Sequence, residues 1–133
     1  MTLKFTILGC GSSMGVPTAT NNWGNCNPNE KKNIRTRCSA IISSKKSNTL
    51  IDTSPDLRLQ LLDNKIQNIK RVIYTHMHAD QTHGINDLRP FFLKNKKKID
   101  VYADKITAKY LKRTFSYCFN GGKGYPPIAK IKM

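Results

Sequence analysis

Acidic residues are scarce. Eight Asp and Glu stand against 23 Lys and Arg, a formal charge of +15 over 133 residues. A surface of that sign attracts phosphate groups, on nucleic acid or on small anions. The excess is mostly lysine in scattered short pairs, with one cluster at Lys94, Lys96, Lys97 and Lys98. General compositional bias produces the same pattern, so nucleic acid is an alternative partner and not the favoured one. Cysteine is present four times, at Cys10, Cys26, Cys38 and Cys118, and no two are spaced Cys-x-x-Cys. That argues against a zinc site built of cysteine alone. Long apolar runs are missing. The stretch Phe5 to Cys10 quickly meets Gly and Ser, which is too short for a secretory signal, and no window approaches a membrane span. The default expectation is a cytoplasmic protein with free thiols. The remaining composition, 38% hydrophobic and 23% charged, is that of one ordinary globular domain.

Breakers divide the chain. Leu3 to Leu8 reads as a strand that runs into Gly9. Residues 9 to 36 are rich in Gly, Asn, Pro and Ser and lack periodicity, and a loop of that length is often functional. Cys38 to Ser43 and Thr49 to Asp52 read as two strands joined by a polar turn. Asp56 to Leu62 has Leu57, Leu61 and Leu62 at helical spacing. Val72 to Thr75 is a short β-rich run, and His76 to His83 a polar loop. Ile85 to Leu93 reads as a helix bent or stopped near Pro90. Ile99 to Ala103 alternates as a strand, Asp104 caps a helix that runs to Phe115, and Ile128 to Met133 begins a last strand. Strands followed by strand–helix alternation predict an α/β, or α+β layered, domain. Gly9, Gly11 and Gly15 have the wrong spacing for a dinucleotide loop, and Pro17 opposes the helix that such a loop needs. Gly121-Gly122-Lys123-Gly124 lacks a Walker pattern and reads as a turn.

Histidine is rare, and all three copies lie at His76, His78 and His83. They directly follow the Val72–Thr75 run. In an extended segment His76 and His78, two apart, point to one side. Imidazole suits zinc and similar transition ions, and Asp80 adds an oxygen donor. A single histidine there would read as an ordinary surface or core residue. Three in one segment, beside an aspartate at a strand end, read as a metal site.

Thr75-His76-Met77-His78-Ala79-Asp80 resembles the Thr-His-x-His-x-Asp-His signature of metallo-β-lactamase-fold hydrolases. Leu8 to Pro17, Asn33 to Ser39 and Leu50 to Arg58 resemble further landmarks of that superfamily in order. His83-Gly84-Ile85-Asn86-Asp87-Leu88-Arg89-Pro90 is similar to the branch that includes phosphoribosyl cyclic phosphate phosphodiesterases. The resemblance implies the N-terminal half of an αββα sandwich. It also implies zinc or manganese, one or two ions, held by His76, His78 and Asp80. Asp80 would also orient the attacking water as the catalytic carboxylate. Asp52 would hold a metal-bound histidine through its second nitrogen, or else cap a loop.

Two departures from the family pattern carry consequences. Gln81 stands where the family has His, which weakens a second ion site, and the role of His83 is not set by its spacing. No histidine follows His83, so the later ligands of the family are missing. Residues 1–133 are therefore expected to form a single, incomplete domain whose last strand leaves an apolar sheet face uncovered. The expected activity is hydrolysis of a small cyclic phosphodiester. The alternatives are an RNA 3′-end processing nuclease of the same fold, or a truncated metal-binding domain without catalysis.

Overall fold

The computed structural model describes residues 2–132. Met133, the end of the expected last strand, lies outside the described residues. Six strands form one sheet in sequential order: β1 (Lys4–Gly9), β2 (Ser39–Ser43), β3 (Asn48–Ile51), β4 (Arg71–Ile73), β5 (Ile99–Tyr102) and β6 (Ala129–Lys132). The β1–β2 and β2–β3 pairs are antiparallel, while β3 to β6 are parallel. A short turn joins β2 to β3, the long loop between Gly9 and Ser39 joins β1 to β2, and the parallel strands need crossovers. The crossovers carry α1 (Leu57–Asp63), α2 (Ala79–Thr82), α3 (Arg89–Asn95), α4 (Lys105–Thr114) and α5 (Ser116–Asn120). This is the layered α/β architecture that the alternation of elements predicts.

Two local expectations need correction. The segment from His76 to His83 is not all loop, because residues Ala79–Thr82 close one helical turn, α2. Four residues are too few to show a 3.6-residue period. Pro90 does not stop a helix. Residues Ile85–Leu88 form a 3-10 turn, and Pro90 sits in the first turn of α3, where its missing N–H costs nothing. Asp104 caps α4 as expected, its carboxylate accepting from the Thr107 N–H at 2.7 Å.

The two faces of the sheet differ. On one, Ile41, Leu50, Val72 and Val101 are fully buried in register and pack with Leu57, Leu88, Leu111 and Cys118 from the crossovers. On the other, Ile7, Ala40, Ile51, Ile73 and Tyr102 form an apolar row across five strands. Within that face Phe5, Ile7 and Ile73 remain 60%, 64% and 40% exposed. A contiguous apolar surface of this kind drives association. The chain is therefore expected to self-associate in spite of its charge. Phe5→Lys with Ile7→Lys on the edge strand should shift it toward monomer in sedimentation velocity. An unchanged distribution would show that this face plays no part.

Candidate metal centre

The site is built at the carboxyl ends of β3 and β4. Each strand leaves the sheet into a loop, and the two loops are tied together. The Asp52 N–H donates to the Ile73 carbonyl at 2.9 Å, and the Thr53 N–H to the Gln81 carbonyl at 2.8 Å. The Gly84 N–H returns to the Thr53 carbonyl at 3.0 Å. The buried Thr53 hydroxyl donates to the Thr82 carbonyl at 3.1 Å and meets the Tyr74 hydroxyl at 2.8 Å. Tyr74 is fully enclosed, and burial pushes its phenol far above the usual range, so it stays a neutral donor. The segment 74–84 is thus fastened at both ends to residues 52–54.

Asp52 adopts a left-handed backbone conformation, with φ of 60°. Aspartate is among the few residues other than glycine enriched there. The turn aims its carboxylate at Thr75: Oδ1 accepts from the Thr75 N–H at 2.8 Å and Oδ2 from the Thr75 hydroxyl at 2.7 Å. The same hydroxyl lies 3.0 Å from His76 Nδ1. Because the Thr75 proton is committed to the carboxylate, its oxygen is left to accept, so Nδ1 carries the proton and donates. That tautomer leaves the Nε2 lone pair of His76 free. Burial pushes the Asp52 carboxyl above the usual carboxylate range; the Thr75 hydrogen bonds and the His76 charge pull it down, and the Asp80 charge pushes it up.

His76 and His78 lie side by side, their rings 4.8 Å apart and nearly perpendicular. Both are exposed. The backbone of His78 is locked, since its carbonyl accepts from the Gln81 N–H at 3.0 Å, the Thr82 N–H at 3.1 Å and the Thr82 hydroxyl at 2.9 Å. Asp80 is half-buried in the single turn of α2, and its Oδ2 accepts from Gln81 Nε2 at 2.9 Å. That contact fixes the amide, because only the nitrogen can face a carboxylate. Gln81 Oε1 is then buried without a partner among the described residues. His83 turns away, edge-on to Phe115 at 5.3 Å, with Nδ1 against the Thr82 hydroxyl at 3.1 Å.

The two imidazoles suit a transition ion, and the orphaned Gln81 oxygen marks a polar site with an unmet demand. The donor set is partial: among the described residues no three His, Cys, Asp or Glu side chains come together closely enough to hold an ion. His76 and His78 are brought together; Asp80 is adjacent in sequence but outside such a group. Asp52 reaches His76 through Thr75 and not directly. Sequence reading missed Thr53, Thr75 and Gly84 as the parts that position the site. Only Thr75, beside the first histidine, offered a local signal.

Comparison with known proteins bears on the fold and the family. The chain is 31% identical over 132 residues to an octanoyltransferase from Porphyromonas gingivalis, a match that takes in 98% of this chain and 26% of that protein. Among solved structures it is similar to a diphosphatase of the PhnP family, with 33% identity and a TM-score of 0.80 over 99% of this chain and 50% of that one. It shares the fold of zinc-bound PqqB from Methylobacterium extorquens, with 19% identity and a TM-score of 0.69 over 98% of this chain and 48% of that one. The chain thus spans about half the length of these structures and about a quarter of the curated relative. No helix among the described residues is long and apolar enough to cross a membrane. With residues 47–132 matching the family model described as the beta-lactamase superfamily domain, from β3 through the histidine segment to β6, the chain belongs to that family.

Proposed function

We propose that this chain supplies the N-terminal ligands of a metal-dependent hydrolase that cleaves a small cyclic phosphodiester. The hydrogen-bonded series Asp52–Thr75–His76 carries the reading. It holds one imidazole in the tautomer a metal ligand needs, an arrangement that a surface histidine has no use for. His76 and His78 would hold zinc or manganese, with Asp80 completing the set or serving a second ion. When bound, such an ion supplies Lewis acidity that activates water and stabilises charge on a phosphoryl oxygen. Asp52 and Thr75 keep His76 oriented, the α2 turn keeps His78 in place, and Asp80 orients the nucleophile. The similarity to a diphosphatase, an enzyme that acts at phosphorus, supports a phosphate substrate. The octanoyltransferase match covers too little of that protein to suggest acyl transfer.

The test uses the natural polypeptide that contains this chain, loaded with zinc or manganese. It is expected to hydrolyse a ribose cyclic phosphate faster than an aryl phosphodiester, to ignore β-lactams, and to lose turnover in His76→Ala. Cleavage of precursor transfer RNA with no action on the cyclic phosphate would instead identify an RNA 3′-end nuclease. Turnover of a small diphosphate alone would contradict the ester substrate.

A further inference from the structure

A second site lies at the opposite end of the sheet. The histidine segment leaves the carboxyl end of β4, whereas a groove of about 660 Å³ opens near the amino ends of β4, β5 and β6. Its volume is within the usual range for ligand sites. Lys46, Lys70, Lys97, Lys98 and Lys130 line it. Its one carboxylate, Asp100, is already engaged by Lys130 at 3.3 Å. Five ammonium groups around one concavity repel one another, and the single acid does not balance them.

The backbone holds this arrangement in place. Lys96 takes a left-handed conformation, φ 55° and ψ 26°, which ends α3 and turns Lys97 and Lys98 into the groove. The Lys70 N–H donates to the Asn48 carbonyl at 3.1 Å, and the Asp100 N–H to the Lys70 carbonyl at 3.2 Å, so Lys70 is anchored on both sides. Asn68 lines the same groove and presents both its carbonyl oxygens to Asn48 Nδ2, at 2.9 and 3.2 Å, which leaves its own amide N–H groups to donate elsewhere. Apart from Asp100 and the apolar Ile69, the lining consists of lysines and asparagines, with no aromatic ring. Without a ring there is no platform on which a base stacks, so recognition would be of phosphate and independent of base sequence.

We infer that this lysine groove binds a run of phosphate groups, as in a single-stranded nucleic acid backbone or an inorganic polyphosphate, at a site separate from the histidine segment. The inference does not rest on the metal centre. The test is fluorescence anisotropy of a labelled single-stranded RNA of roughly 12 nucleotides, in two base sequences, with inorganic polyphosphate as competitor. Expected are equal affinities for both sequences, displacement by polyphosphate, and a steep loss of binding with salt. Lys97→Glu with Lys98→Glu should weaken binding about tenfold or more, while Lys109→Glu with Lys112→Glu on the exposed face of α4, the same change in net charge, should alter it by less than about threefold. His76→Ala should leave the affinity unchanged. Circular dichroism verifies that each variant is folded. Whichever of the two polyanions binds more tightly at equal phosphate concentration identifies the natural source, and either ranking supports the groove. Equal losses in the two lysine pairs would reduce the effect to overall charge and overturn the site, as would binding of neither polyanion.

Discussion

Gly84→Ala is expected to destabilise the chain by about 3 kcal/mol, at the upper end of what overpacking costs. The cause is a close approach and not backbone freedom. A Cβ on residue 84 would stand 1.9 Å from the Ser54 carbonyl oxygen and 2.8 Å from its carbon. Neither neighbour is a flexible side-chain tip that swings aside. Ser54 is buried and its hydroxyl is held 2.9 Å from Gln60 Oε1, while Gln60 in turn donates to the Arg37 carbonyl at 2.8 Å. Moving residue 84 away breaks its N–H bond to Thr53, one of the fastenings between the two loops. Urea denaturation reads the loss. An unperturbed midpoint would mean that the loops are not packed this closely.

Asp52→Ala is expected to cost about 2 kcal/mol through the two hydrogen bonds that its carboxylate accepts from Thr75. Alanine also fits the left-handed backbone poorly, so Asp52→Gly, which loses the same bonds without that strain, should be more stable than Asp52→Ala by about 1 kcal/mol. Thr75→Val separates the two roles of the site. It keeps the main-chain bond to Asp52 and removes the hydroxyl between Asp52 and His76. Stability should fall little, while the Nδ1 proton of His76 loses its acceptor. The nitrogen chemical shifts of the imidazole report the change directly. A His76 ring with the same tautomer preference in Thr75→Val and in the parent would show that the threonine does not set it.

The parts of this architecture that are legible in the sequence are those fixed by local chemistry. Strands β1 to β5 announce themselves by short runs of β-branched and other apolar residues, and Asp104 marks its helix because a cap acts on residues three away. The histidine segment stands out because a rare residue type recurs at strand spacing. What local reading misses depends on contacts between distant residues. Gly84 looks like a loop glycine until Ser54, thirty positions earlier, is seen against it. Thr53 gives no sign of its bonds to Tyr74 and Thr82. Pro90 reads equally as the end or the beginning of a helix, and the 3-10 turn before it decides the matter. Asp52 stands near the histidines as the resemblance implies, yet acts through Thr75, a geometry that no spacing encodes.

Zinc or manganese binding by His76 and His78 is tested most directly by isothermal titration calorimetry of the chain and of His78→Ala. The parent is expected to bind one ion through His76 and His78, and weakly, because Gln81 stands where the family pattern has a histidine. His78→Ala should lose most of that binding, since the side-by-side pair of imidazoles is the only one among the described residues. Equal affinity for the parent and for His78→Ala would contradict the assignment of the metal centre to this segment.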